Sequence, residues 1–177
     1  MSDEPGKLLV VDDNEMNRDM LSRRLSRKGY DVDTASDGYI ALEMIDRQSF
    51  DLILLDIMMP GINGMEVLRT VRQTRSASDL PIIMATAKTE SEDVVEALKL
   101  GANDYVTKPL DFPVVLARVS THFQLKRATD QLNAAHARMK QDLEAAARVQ
   151  QTLLGLASCE RERRSAHLSP VSIGNAY

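Results

Sequence analysis

The chain has 177 residues, 44% hydrophobic and 27% charged, ordinary proportions for a globular protein and enough for one domain plus a smaller element. Its single cysteine, Cys159, excludes an intrachain disulfide and a cysteine-built zinc site, and the polar first six residues lack the apolar core of a signal peptide, so a reducing, cytoplasmic setting is expected. The net charge of −4 divides into −8 over residues 1–111 and +4 over 112–177, with no stripe of Lys/Arg and aromatics for nucleic acid and no apolar run approaching the ~18 residues of a membrane span.

Residues 1–111 alternate between two kinds of segment. Short apolar runs lie at 8–11, 32–35, 52–55, 81–85 and 105–107. Amphipathic stretches lie near 15–28, 38–48, 64–74, 90–100 and from 112 onward. Turn signals separate them: Lys28-Gly29, Ser36-Asp37-Gly38, Pro60-Gly61 and Gly101. Gly29 and Gly101 read as residues just past helix ends. Strand then helix, five times over, predicts an α/β fold: a doubly wound, five-stranded parallel sheet. The run 52–55 is apolar without alternation, as a central strand buried on both faces should be.

The last third reads differently. Residues 114–154 contain neither Pro nor Gly. Leu125, Leu132, Met139, Ala146 and Leu153 recur every seven residues, and Ala128, Ala135 and Val149 fill the second apolar position, with Asp142 as the one break. Such a repeat predicts a coiled coil and a homodimer paired through residues 125–153. The pattern dissolves at Gly155, and the arginines at 161, 163 and 164 read as solvated surface. The expected domains are therefore 1–124, a helical linker over 125–154 and a short tail over 155–177.

In a doubly wound sheet, functional groups collect beyond the carboxyl ends of the strands. The polar residues there are Asp12 and Asp13 after the first strand, Asp56 after the third, Thr86 after the fourth and Lys108 after the fifth. Each alone has a plain structural use; Asp12-Asp13-Asn14, for example, could cap a helix. Together at one sheet edge they make a coherent chemistry. Three crowded carboxylates repel one another. A divalent cation with oxygen ligands relieves that repulsion, and Mg²⁺ suits a few carboxylates plus phosphate oxygens. One carboxylate could then accept a phosphoryl group, with lysine and hydroxyl groups on the remaining oxygens.

The segments around Asp12-Asp13-Asn14, Asp56-Ile57-Met58-Met59-Pro60-Gly61, Met84-Ala85-Thr86-Ala87 and Asp104-Tyr105-Val106-Thr107-Lys108-Pro109 resemble the receiver domain of two-component response regulators, over roughly residues 6–124. The resemblance implies a flavodoxin-like receiver and a set of roles. Asp56 would be the phosphoacceptor, served by a sensor histidine kinase or phosphotransfer protein. Asp12, Asp13, Asp56 and the Met58 carbonyl would hold Mg²⁺. Thr86 and Lys108 would contact the phosphoryl group, Thr86 and Tyr105 would form the switch, and the bond before Pro109 would be cis. The chain would then be a signalling module rather than an enzyme.

Residues 143–154 are similar to the helical lead-in of PPM-type serine/threonine phosphatase domains that follow receivers, with Gly155 where proline is common. Residues 169–177 are faintly similar to the start of that domain but lack its Gly-Gly-Asp metal motif. A phosphatase output, attached or in a downstream partner, is the expectation. Two enzymatic alternatives fare worse. An aspartate-nucleophile phosphatase of the haloacid dehalogenase type needs a second Asp where Met58 stands. A diguanylate cyclase needs a Gly-Gly-Asp/Glu-Glu-Phe motif, which is missing.

Overall fold

The computed structural model describes residues 5–87 and 91–166, and side-chain surroundings over 5–87 and 94–152. Strands and helices alternate: β1 (Lys7–Val11), α1 (Glu15–Ser26), β2 (Asp31–Ala35), α2 (Gly38–Arg47), β3 (Leu52–Asp56), α3 (Gly64–Val71), β4 (Ile82–Ala87), α4 (Ser91–Lys99), β5 (Asp104–Lys108) and α5 (Phe112–Ala166). The strands form one parallel sheet in the order β2-β1-β3-β4-β5. The chain leaves β1 for β2 on one side and returns to β3 on the other. The carboxyl ends of β1 and β3 thus flank the point where winding reverses, the usual place for a ligand crevice.

Strand alternation sorts the core into two layers. Leu9, Val11, Ile53, Leu55, Ile82 and Met84 pack with Ala41, Ile45, Val67, Leu68, Val71 and Ala97 from α2, α3 and α4. Leu8, Val10, Leu52, Leu54, Ile83 and Ala85 pack with Leu21, Leu25, Val115 and Val119 from α1 and α5. Every residue of β3 is buried, which explains its unbroken apolar run.

The helices begin where side chains can satisfy free amides. The Asn14 side chain accepts from Met16 N and Asn17 N, and the Asp37 side chain accepts from Ile40 N. Asn63 and Glu66 form a reciprocal capping box on α3. Gly29 and Gly101 have φ of 90° and 99°, the left-handed conformation that glycine takes most cheaply.

Some boundaries differ from expectation. Helix α3 stops at Val71 rather than near 74 because the following turn tightens, with Gln73 N donating to Thr70 O and Thr74 N to Val71 O. Asp56, Thr86 and Lys108 lie within the last two residues of their strands rather than beyond them; the ladder extends to Asp56↔Ala85, Thr86↔Thr107 and Ala87↔Lys108. Helix α5 continues through Gly155 to Ala166. One glycine costs a helix interior only about 1 kcal/mol, too little to stop a helix flanked by Leu and Ala.

The chain divides into two units, Met1–Asp130 and Gln131–Tyr177. The first holds the sheet and its packed helices. The second is helical over its described residues, and exposes Leu132, Met139, Leu143 and Val149, each more than half accessible. No helix among the described residues is long and apolar enough to cross a membrane. The side chains of Leu153, Cys159 and the arginines at 161, 163 and 164, and the segment 169–177, lie outside the described residues.

One close approach positions the site. A Cβ on Gly64 would lie 2.1 Å from the Asp56 carbonyl oxygen and 2.9 Å from Ile57 Cα. Helix α3 therefore starts directly against the end of β3, with Gly64 N donating to Ile57 O at 2.9 Å. Gly64→Ala is expected to cost about 1–3 kcal/mol of overpacking. Urea denaturation of the variant should reveal a lowered midpoint with an unchanged slope.

Candidate functional site

Asp12, Asp56 and Thr86 are the buried polar or charged side chains among the described residues, each 1–2% exposed. Burying such groups is costly unless they are partnered. All three belong to the carboxyl edge of the sheet. Asp56 closes β3, Asp12 follows β1 directly, and Thr86 is the penultimate residue of β4. Asp13 is exposed beside Asp12. Carboxylate oxygens of Asp12, Asp13 and Asp56 lie within 4.8 Å of one another.

Lys108, the last residue of β5, reaches across β4 to this cluster. Its Nζ donates to Asp56 Oδ2 at 2.6 Å and lies 3.0 Å from Asp12 Oδ2. One ammonium thus serves two buried carboxylates. Burial drives the Asp56 carboxyl above its ordinary pKa; the hydrogen bond and charge of Lys108 oppose this, and the Asp12 charge adds to it. Burial pulls the Lys108 ammonium down, but its bonds to Asp56 and Asp12 outweigh that and hold its pKa above the ordinary value. The peptide bond between Lys108 and Pro109 is cis.

Asp12 is anchored by the first turn of α1. Its Oδ1 accepts from Asn14 N at 2.8 Å, and the Asn17 side-chain amide donates to Oδ1 at 3.3 Å and Oδ2 at 3.1 Å. Arg18 Nη1 donates to the Asp12 carbonyl oxygen at 2.6 Å. The helix-capping use of Asp12-Asp13-Asn14 falls to Asn14 alone, which leaves both aspartates for the cluster. Asp56 Oδ1 accepts from Met58 N at 3.2 Å, while the Met58 side chain is exposed.

The cluster thus unites Asp12, Asp13, Asp56 and Lys108, with Met58 N on Asp56. The Thr86 hydroxyl donates instead to the Ala87 carbonyl at 3.3 Å. Tyr105 is half-buried against the core layer of α2, α3 and α4, and the Arg118 guanidinium lies 5.6 Å from its ring centroid. Asn17 and Arg18 escape the sequence reading because no strand end marks them. Their signal is a pair of polar residues on the inward side of the first helical turn after Asp12-Asp13-Asn14.

The donor set fits a hard divalent cation. Three carboxylates with a single ammonium leave excess negative charge on clustered oxygens, the chemistry that suits Mg²⁺. Without divalent cations, Asp56→Asn is expected to raise stability at neutral pH, since it removes the buried charge that burial and Asp12 disfavour. The expected gain is about 1 kcal/mol, or ~3 °C in melting temperature. A carboxyl raised in the folded state weakens stability as pH rises through that raised value, so the gain of the variant should fade as pH falls back towards the ordinary 3.8. Thermal melts in a chelator across pH measure both.

A family model for the response regulator receiver domain matches residues 8–120. The chain is similar to the receiver domain of the Francisella response regulator 1452, at 31% identity and TM-score 0.63, covering 67% of this chain and 97% of that one. It is similar to the Vibrio cholerae chemotaxis protein CheY4, at 34% identity and TM-score 0.62, covering 66% and 98%. A CheY-like receiver domain protein from Methanospirillum hungatei matches at 27% identity and TM-score 0.66, covering 71% and 98%.

Proposed function

The chain belongs to the response regulator receiver family of two-component systems, whose members accept a phosphoryl group on aspartate, and on that premise we propose that Asp56 is the acceptor here. The observation that carries this reading is the buried Asp56 carboxylate held between Lys108 Nζ at 2.6 Å and the Met58 amide at 3.2 Å, beside Asp12 and Asp13. The donor is a phosphohistidine of a sensor kinase or phosphotransfer protein. An Asp56 carboxylate oxygen forms the new O–P bond as the P–N bond breaks, and the departing imidazole nitrogen keeps the electron pair and takes a proton from solvent.

Asp12, Asp13, Asp56 and the Met58 carbonyl are the groups that would hold Mg²⁺. What a bound Mg²⁺ supplies there is neutralisation of the crowded carboxylates and of the phosphoryl oxygens. Lys108 adds a charged donor for a phosphoryl oxygen, and Asn14, Asn17 and Arg18 keep Asp12 oriented. Thr86 and Tyr105 form the switch: a phosphoryl group on Asp56 draws the Thr86 hydroxyl away from the Ala87 carbonyl, and the space it leaves admits the Tyr105 ring more deeply. With Met58 two residues after Asp56, the site lacks the second carboxylate of a haloacid-dehalogenase-type phosphatase.

Acetyl phosphate with Mg²⁺ should add the mass of one phosphoryl group to the chain, and none to Asp56→Asn or to chelator-treated protein. Intact-mass spectrometry reads this directly. Equal uptake in Asp56→Asn would place the acceptor elsewhere.

The heptad face of α5 is the reading for assembly and output. Leu125, Leu132, Met139 and Val149 each expose more than half of their surface, which a second copy of the helix would cover. We assign residues 1–124 to the receiver, 125–154 to a coiled-coil linker and 155–177 to a tail. The resemblance of residues 143–154 to PPM-type lead-ins supports a serine/threonine phosphatase as the governed output, and a cytoplasmic location fits a kinase-fed switch. Sedimentation of the 177-residue chain should report a dimer, and Leu132→Asp with Met139→Asp should return it to monomer. A strict monomer with and without fluoroberyllate would overturn the dimer reading.

A further inference from the structure

Away from the acidic cluster, a second set of charged groups joins β5 to α5. Asp104 opens β5, four residues before Lys108 in the same strand. Its Oδ1 accepts from Arg118 Nη1 at 2.5 Å and from Tyr105 N at 2.8 Å, and its Oδ2 lies 3.1 Å from His122 Nε2. Arg118 and His122 stand one turn apart on α5, so both meet one carboxylate from the same helix face. Asp104 and His122 are largely withdrawn from solvent, with side-chain exposures of 19% and 15%, while Arg118 is more open at 38%. Burial favours protonation of Asp104, yet the bonds from Arg118, Tyr105 N and His122 outweigh it and hold the carboxyl below its ordinary pKa.

Arg118 has a second engagement. Its guanidinium carbon lies 5.6 Å from the Tyr105 ring centroid, and its Nε is buried without a hydrogen-bond partner. A buried orphan donor is unfavourable. Arg118 is therefore held in place by the Asp104 carboxylate on one side and the Tyr105 ring on the other, and both belong to consecutive residues of β5. The acidic cluster with its lysine contains none of Asp104, Arg118 and His122.

Resting on the reading of Asp56 as acceptor, we propose that Asp104, Arg118 and His122 are positioning residues that transmit the state of Tyr105 to α5, with Arg118 sensing the ring and His122 fixing the next turn. A shift of the Tyr105 ring removes one of the two supports of the Arg118 guanidinium. The guanidinium then re-seats on Asp104, and the turn of α5 carrying Arg118 and His122 moves with it. His122 precedes Leu125, the first heptad residue, by three positions, so the displacement enters the helix just ahead of the heptads.

The test uses the full 177-residue chain with two readouts. Intact mass after acetyl phosphate and Mg²⁺ measures acceptance on Asp56. Amide hydrogen exchange over residues 112–130, with and without fluoroberyllate, measures the response of α5. Arg118→Ala and His122→Leu should accept phosphate as the wild type does while the fluoroberyllate-dependent change in exchange falls by about 5-fold or more. His122→Gln, which keeps a side-chain donor for Asp104, should retain the change, and Arg118→Lys, which keeps the cation, should retain part of it. A wild-type exchange response in both Arg118→Ala and His122→Leu, with normal uptake, overturns the clasp and leaves the acceptor standing. Absent uptake in the wild type overturns the acceptor instead. If Arg118→Ala fails to fold by circular dichroism, the comparison of His122→Leu with His122→Gln decides, and equal responses from that pair overturn the proposal.

Discussion

Two buried carboxylates, Asp12 and Asp56, share one ammonium from Lys108, and a third, Asp13, stands within reach of both. Like charges at such spacing are unfavourable in a sheet edge shielded from water, and one lysine offsets only part of the repulsion. Burial raises the pKa of Asp56, and the Asp12 charge adds to that rise against the opposing bond and charge of Lys108. Much of the local architecture serves to hold this unfavourable arrangement together. Three donors from the first turn of α1 fix Asp12, and Gly64 lets α3 close against the backbone of Asp56. A cation bound among these carboxylates would lower the cost that the fold already carries.

The sheet order makes this possible. With β1 and β3 adjacent at the reversal of winding, their carboxyl ends deliver Asp12 and Asp56 side by side. Lys108 comes from β5, with β4 between. Strand β5 also carries Tyr105 and Asp104, so a single five-residue strand holds the counter-ion of the site, the aromatic proposed as its switch and the carboxylate that grips α5. A displacement at one end of so short a strand has little room to dissipate before it reaches the helix. That economy is the physical basis for the transmission inferred through Arg118 and His122.

The same helix that packs Val115 and Val119 into the core continues into the heptad segment. Its two parts obey different patterns. Val115 and Val119 are buried against the sheet, whereas Leu132, Met139 and Val149 are each more than half exposed. An apolar repeat of seven residues is a demand for a partner helix, which is why a dimer is the reading proposed for it. Several seam positions are alanine and Asp142 interrupts the repeat, features that weaken pairing and leave it open to control.

The fold was legible in the sequence because its signals are local: unbroken apolar runs, helical periods, and glycines at 29 and 101 where the chain must turn through positive φ. The identity of the acidic cluster was legible for the same reason, since strand ends in a doubly wound sheet announce where side chains converge. Only the tertiary structure could decide how those residues are held. That Asn17 and Arg18 bind Asp12, that the Thr86 hydroxyl turns to the Ala87 carbonyl, and that Asp104 pairs with residues 14 and 18 positions onward are products of packing. The length of α5 was also misjudged from sequence: Gly155 looked like an end, but a single unfavourable residue is outweighed by helix-forming neighbours on both sides. Sequence pattern determines which face of an element is apolar and where charged groups collect; the partner each polar group takes depends on distances that exist only once the chain is folded.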